Sequence, residues 1–298
     1  MSSDHTKTVL YLFAVVLLIS IACLAVNHYV YQFPGNNYLP EAGLSAGIVL
    51  LLCVLGAKVL FTSNNHYLIQ LTTILCIYYS TLISIILLTN AVQYTPFAPI
   101  DPFLIAIGSK IGIDMTAIVY WTTNHDLLKR VLSAAYDSLP LQLTLVPVAL
   151  ALIQRPERVQ EFCCLVLISA IIGFSFYYFF PTTAPASNMA SSLFSIEQYA
   201  TGIKFHEIHN YIQPSTLAGG LIALPSFHII WAWFCTYLVR DYAILFAILL
   251  TTNSVLAFSC VLLGWHYPVD IFGSILIIIF THRIYQRYFN ATAITNVI

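Results

Sequence analysis

The 298-residue sequence predicts an all-α protein, a polytopic transmembrane helical bundle of about eight spans with one further helix in the membrane interface. Two observations predict it. Hydrophobic residues fill 59% of positions and charged residues 8%, against roughly 25% charged in soluble domains, so water is not the main solvent of this chain. Apolar runs long enough to cross a hydrocarbon core also recur along it, at about 1.5 Å of rise per residue. A backbone amide finds no water inside a bilayer, so each crossing segment must satisfy its own N–H and C=O groups as a helix.

In order, the runs are Val9–Val26, Gly43–Phe61, Tyr67–Thr89, Val131–Ile153, Phe162–Phe180, Leu221–Val239, Tyr242–Leu263 and Tyr267–Tyr288. The first is too long for a secretory h-region and lacks a small-x-small cleavage site, so it reads as a retained anchor. Pro140 and Pro147 are expected to kink the fourth. A further stretch, Phe103–Trp121, is interrupted by Lys110 and Asp114, and an unpaired charge at mid-bilayer costs about 2.5–3.5 kcal/mol. Spaced i, i+4, the two can pair on one helical face. The stretch is therefore the interfacial helix, opened by Pro99 and Pro102 and ended by the aromatic pair Tyr120 and Trp121.

With both termini in the cytoplasm, Lys7, Lys58, Arg155, Arg158, Arg240, Arg283 and Arg287 fall inside, and Lys110, Lys129, Arg130 and Lys204 outside, as the positive-inside rule prefers. The net charge of −1 and the lack of a basic stripe exclude nucleic acid as a partner. All seven cysteines lie in apolar stretches with no CxxC spacing, which reads as small buried hydrophobes rather than a disulfide frame or zinc site. The one long polar connection, Pro181–Gly220, carries Lys204, His206, Glu207 and His209 and is either a lid or an exposed loop.

Two histidines stand where spans begin: His228 in Leu224-Pro225-Ser226-Phe227-His228, and His266 in Gly264-Trp265-His266-Tyr267-Pro268-Val269-Asp270. In this topology both emerge on the external face, where Pro181 also opens the polar segment. Asp270, one turn beyond His266, can accept a hydrogen bond from one ring nitrogen and leave the other aimed outward as a nucleophile. Pro268 suits a first helical turn, which puts His266 at the cap and Asp270 at the third helical position. Ser226 supplies a hydroxyl beside the free N–H groups of a helix start, an anion site, with His228 placed to protonate a leaving alcohol.

Pro-Ser-Phe-His, followed some forty residues later by His-Tyr-Pro-Val-Asp-Ile-Phe-Gly, resembles the type 2 phosphatidate phosphatase superfamily of lipid phosphatases and phosphotransferases. The stretch from Asp101 through Tyr136-Asp137-Ser138 to Gln142 is similar to its inositol-phosphorylceramide-synthase-like branch. The resemblance implies a phosphohistidine on His266, orientation by Asp270, acid catalysis by His228, phosphate contact by Ser226, and no metal or other cofactor. It implies a phosphorylated lipid as substrate, water or an alcohol as acceptor, and the bilayer as surroundings. The expected location is a bacterial inner membrane with an external site, or a eukaryotic endomembrane with a lumenal one. Residues 1–92 are then added N-terminal helices and 93–298 the catalytic membrane domain.

Two phosphate clamps of the superfamily are missing. Its first motif carries a lysine and a later Arg-Pro, where this chain has Phe180-Pro181-Thr182-Thr183-Ala184-Pro185; the arginine six residues before the third-motif histidine is here Cys260. A cation is still needed for charge balance, and Lys204, Lys129, Arg130 or Lys110 can supply it. The substrate-contact candidates are thus Ser226, Pro181, Lys204 and the intramembrane carboxylate Asp137, whose duller alternative is snorkelling. His5, His28, His66, His125 and His282 read as structural. Two other classes compete: a divalent-metal site of His228, His266 and Asp270, and a lipid carrier that kept the scaffold without catalysis.

Overall fold

The computed structural model describes residues 3–34, 56, 66–189, 191–216 and 224–295. Among them all regular structure is helical. Helix α1 (Ser3–Ala25) runs on through a π-helical turn at Val26–Val30, and α2 (His66–Val92) follows. A bent pair comes next, α3 (Asp101–Lys110) and α4 (Met115–Thr123), then a second, α5 (Asp126–Asp137) and α6 (Leu139–Leu152). Helices α7 (Pro156–Phe179), α8 (Ile196–His209), α9 (Phe227–Leu238), α10 (Ala243–Leu262) and α11 (Pro268–Thr295) complete the order.

Five of these helices are long and apolar enough to cross a membrane, or up to seven if each bent pair counts as one span. The expected run Gly43–Phe61 lies outside the described residues apart from Gly56. Two expectations need correction. Val131–Ile153 is not one continuous helix: it breaks at Ser138, where α5 and α6 meet at 42°, because Pro140 sits in the first turn of α6 and brings no N–H to continue the ladder. Phe103–Trp121 is likewise two helices at 86°. Gly112 turns the chain there with φ +76°, and Asp114 caps α4 by accepting from the Ala117 N–H at 3.1 Å. Lys110 and Asp114 stand on either side of that turn, so no shared helical face exists to pair them.

Helix α7 is the axis of the bundle. Pro156 and Glu157 suit its first turn, and from Phe162 to Ala170 every residue is buried, as a helix apolar on all sides must be. It packs against α1, α2, α6, α9 and α11. Gly173 lets α9 approach it closely: a Cβ there would lie 2.6 Å from Phe227 Cζ and 3.1 Å from Pro225 Cγ. The outer faces are apolar too, with Ile244 at 80% and Phe272 at 67% exposure, the pattern of a bundle solvated by lipid.

Polar contacts fix the two ends of the bundle and one point between. Midway, the Gln142 and Asn253 amides exchange hydrogen bonds at 2.8 and 2.9 Å, and Asn253 also donates to Ala232 O and Thr236 Oγ1. At one end Arg158 pairs with Asp241 and Glu161, and Arg240 with Glu161 at 2.6 Å. The opposite ends of the same helices hold Pro181, Ser226 and the His266 loop.

Candidate functional site

Ser226 is the N-cap residue of α9, yet its hydroxyl makes no capping bond. It reaches instead to His266 Nε2 at 3.0 Å. The other ring nitrogen of His266, Nδ1, lies 3.2 Å from Asp270 Oδ2, and that oxygen also accepts the Tyr267 N–H at 2.9 Å. Asp270 is the third residue of α11, as the spacing predicts; Tyr267, not His266, directly precedes the helix. The carboxylate thereby ties the helix start to the loop that precedes it. Ser226, His266 and Asp270 are 0%, 3% and 0% exposed. A neutral imidazole that donates from Nδ1 to this carboxylate keeps its lone pair on Nε2, facing the hydroxyl.

Gly264 makes the approach of this loop possible. It turns with φ +79°, and a Cβ there would stand 2.6 Å from Phe194 Cε1 and 2.9 Å from Val119 Cγ2. Ser274, one turn after Asp270, receives the Ser226 N–H at 2.9 Å and its hydroxyl lies 2.6 Å from Asp270 O, which locks α9 to α11. Cys260 Sγ stands 3.8 Å from Ser226 Oγ.

His228 lies on the more open side of the cluster, its ring centroid 6.4 Å from that of His266. Tyr136 stacks on it at 4.2 Å and 16°, and Trp265 stacks on the other face of Tyr136 at 5.0 Å and 7°.

The first-motif segment is wired in through Asp101. This buried carboxylate accepts the Thr183 N–H at 2.8 Å and the Tyr267 hydroxyl at 3.1 Å. Pro181 O accepts the Ile100 N–H at 2.8 Å, and Thr182 Oγ1 accepts the Leu224 N–H at 2.9 Å. Pro181 therefore acts on the site through its neighbours, as a brace between motifs. Asp101 was visible in the sequence only as the first residue of the resembling stretch. Tyr136 was likewise visible only within that stretch and Trp265 only as the residue before His266, while Ser274 carried no signal, although it repeats the four-residue step from His266 to Asp270.

Helix α8 lies across this end. The Ser195 hydroxyl and Gln198 side chain form a reciprocal cap at its start, and Gln198 Nε2 donates to Leu263 O at 2.9 Å. Its buried face carries Lys204, only 5% exposed. No carboxylate stands against this ammonium among the described residues, and burial pulls its pKa below the ordinary lysine range. The other cation candidates, Lys110, Lys129 and Arg130, are exposed, and so is Asp137. The structure thus brings Ser226, His228, His266 and Asp270 together, braces them from Pro181, and leaves Asp137 on the surface.

Two openings lie at this end, beside Tyr267 and Asp101 rather than directly against Ser226, His228, His266 or Asp270. A mainly apolar groove of about 640 Å³ runs between the α3–α4 turn and the start of α11, with Leu104, Ile107, Met115, Tyr267 and Phe272 in its walls. A polar cleft of about 330 Å³ includes Asp101, Asn188, His206 and His209. No group of three or more His, Cys, Asp or Glu side chains among the described residues has the disposition of a metal site. His266 turns one nitrogen to Asp270 and the other to Ser226, so the histidines and the carboxylate do not converge on a common point.

A family model described as PAP2 superfamily matches residues 102–284. No curated protein and no solved structure gives a significant match. The match covers more than half of the chain, including all of the cluster, and leaves α1 and α2 outside it. The chain belongs to the PAP2, or type 2 phosphatidate phosphatase, superfamily, and that membership supports a lipid phosphatase or phosphotransferase kind of function.

Proposed function

We propose that this membrane protein cleaves a lipid phosphoester by passing the phosphoryl group through His266. The observation that carries the reading is the pair of contacts on one imidazole, Asp270 behind Nδ1 and Ser226 before Nε2. When a phosphate enters, the Ser226 hydroxyl turns from Nε2 to a phosphate oxygen and frees the lone pair. Nε2 attacks phosphorus, the P–N bond forms, and the P–O bond to the lipid breaks as His228 gives its proton to the leaving oxygen. Asp270 stabilises the cationic ring. His228, now a base, then takes a proton from water or an alcohol, whose oxygen displaces Nε2 and restores the free histidine.

The charge on the phosphate is met by Lys204 and by the N–H groups at the start of α9, which the Ser226 side chain leaves uncapped. A buried ammonium without a counter-ion is costly unless an anion joins it, and this supports Lys204 in the place of the absent clamps. The apolar groove beside Tyr267 lies within the roughly 300–1,000 Å³ typical of ligand sites and supports a lipid rather than a soluble ester. With both nitrogens of His266 engaged by side chains, the reading is metal-independent. The distribution of Lys and Arg supports a site facing outward from a bacterial inner membrane or into a eukaryotic lumen.

Purified protein should release phosphate, or transfer it to an alcohol, from at least one member of a lipid-phosphate panel in the presence of EDTA. His266→Ala should lose this wholly. Retention of turnover by that variant would end the proposal.

One observation favours a second reading. Ser226, His266 and Asp270 also form the linear relay of a serine nucleophile, with histidine as base. Trapping with a labelled phosphate ester separates the two, because phosphohistidine is lost in acid and phosphoserine survives it.

A further inference from the structure

We propose that Tyr136 is a positioning residue that sets the two imidazoles relative to each other and presents His228 to the leaving oxygen. The inference rests on the histidine reading above and adds to it a residue from an element that carries none of the reacting groups.

His228 is held chiefly by one aromatic neighbour. Its Nδ1 has the Tyr136 hydroxyl at 3.4 Å, while the two rings overlap at 4.2 Å and only 16° from parallel. A hydrogen bond to an imidazole nitrogen is strongest in the plane of the ring. A ring lying nearly face to face cannot bring its hydroxyl into that plane at short range, so the stacking contact dominates. The opposite face of Tyr136 is covered by Trp265 at 5.0 Å and 7°. Trp265 is the residue before His266, so one phenol ring is clasped between the acid histidine and the loop that carries the nucleophile.

Tyr136 is itself held. It is 7% exposed and packs in an apolar cluster with Leu139, Ile229, Leu256 and Cys260. These residues come from α6, α9 and α10, so a displacement of the phenol is resisted from three helices. It also stands at the end of α5, next to the break before α6, where the chain turns by 42°. The bend brings the last turn of α5 over His228. With the Tyr136 hydroxyl beside Nδ1 of His228, Nε2 is the nitrogen left for substrate, and the two imidazole centroids stand 6.4 Å apart.

The stack predicts a graded response. Tyr136→Phe keeps the ring and should retain turnover within about threefold. Tyr136→Leu removes the stack and should lose at least tenfold in kcat/KM, which ends at phosphohistidine formation and excludes the later base step, on octyl phosphate, whose alkoxide leaves only with a proton, but less than threefold on para-nitrophenyl phosphate, whose phenolate leaves without one. Trp265→Leu, at a half-buried position, should shift the same ratio in the same direction and tests the inference if Tyr136→Leu does not fold. His228→Ala is the control. If it too loses far more on the alkyl than on the aryl ester, the acid reading stands and Tyr136 is judged against it.

Equal losses on both esters for Tyr136→Leu and Trp265→Leu would reduce the stack to a packing role and overturn the inference alone. A Tyr136→Phe variant as damaged as Tyr136→Leu would overturn it in favour of the hydroxyl. A His228→Ala variant with no preference between the two esters in kcat/KM would instead remove the function reading on which the inference rests.

Discussion

Helices α7, α9 and α10 run between two ends of the molecule that handle charge in opposite ways. At one end Arg158, Glu161, Arg240 and Asp241 form a chain of alternating sign, Arg240 also lies 3.7 Å over the Tyr237 ring, and their side chains are 11–49% exposed. Every charge there has a partner and some contact with solvent. At the other end Asp101, Asp270 and Lys204 are at least 95% buried, and among the described residues neither carboxylate faces a cation of fixed charge. They are held by N–H groups, hydroxyls and an imidazole. A paired, half-solvated cluster has little free energy left to spend on a ligand, whereas an unpaired buried group changes its state when one arrives.

The contrast is broken most severely at Lys204. If this ammonium meets the phosphate, Lys204→Met should raise KM by about 10–100-fold, the size of a lost hydrogen bond to a charged group, and Lys204→Arg should recover part of it. The pH dependence has a definite sign. Burial holds the pKa below the ordinary lysine range, so a rise in pH discharges the group earlier than it would an exposed lysine and weakens anion binding. The same lowered pKa means that the empty folded state bears the cost of a buried charge at low pH and is relieved of it as pH climbs through that value. Inhibition by sulfate, whose own charge is constant in this range, should weaken toward alkaline pH in the parent, and the dependence should vanish in Lys204→Met. A flat profile in the parent would assign the phosphate to another cation.

Gly264→Ala perturbs the buried end from the backbone side. The left-handed conformation alone costs an L-residue about 1–2 kcal/mol, and the new methyl would have to displace Phe194 and Val119. Activity should fall with the His266 loop even where the bundle survives, read as a drop in both turnover and the thermal midpoint in detergent. The smallest effect belongs to the paired end. Asp241→Asn removes one half-exposed partner of Arg158 and should cost no more than about 1 kcal/mol, with turnover unchanged. A large loss of activity from that change would mean that the two ends are coupled, against the division drawn above.

Much of this was legible from residue order. Apolar length alone specifies a helical bundle, because lipid leaves the backbone no other way to satisfy itself, and the four-residue step from His266 to Asp270 specifies the contact that forms. Where the helices break was harder to read. Pro140 marked a kink, but only the position of Ser138 outside both helices makes it a joint, and the Lys110–Asp114 spacing suggested a shared face that a glycine turn abolishes. Asp101, Tyr136 and Trp265 were hidden for another reason. Their roles arise from contacts across more than eighty residues of chain, and neither a lone aspartate nor an aromatic in an apolar run carries a local sign of what it will touch.

Helix α9 has only 12 residues, a length of about 18 Å, while a hydrocarbon core measures about 30 Å. Its far end stands beside the Arg240 charges, so Ser226 and His228 lie within less helix length of them than a hydrocarbon core is thick. If the Arg240 end marks one headgroup plane, the proposed reaction requires a substrate to sink its phosphate toward the acyl region, shedding hydration as it descends. An amphiphile already embedded in the leaflet makes that descent with its tails anchored, and a freely dissolved ester has no such anchor.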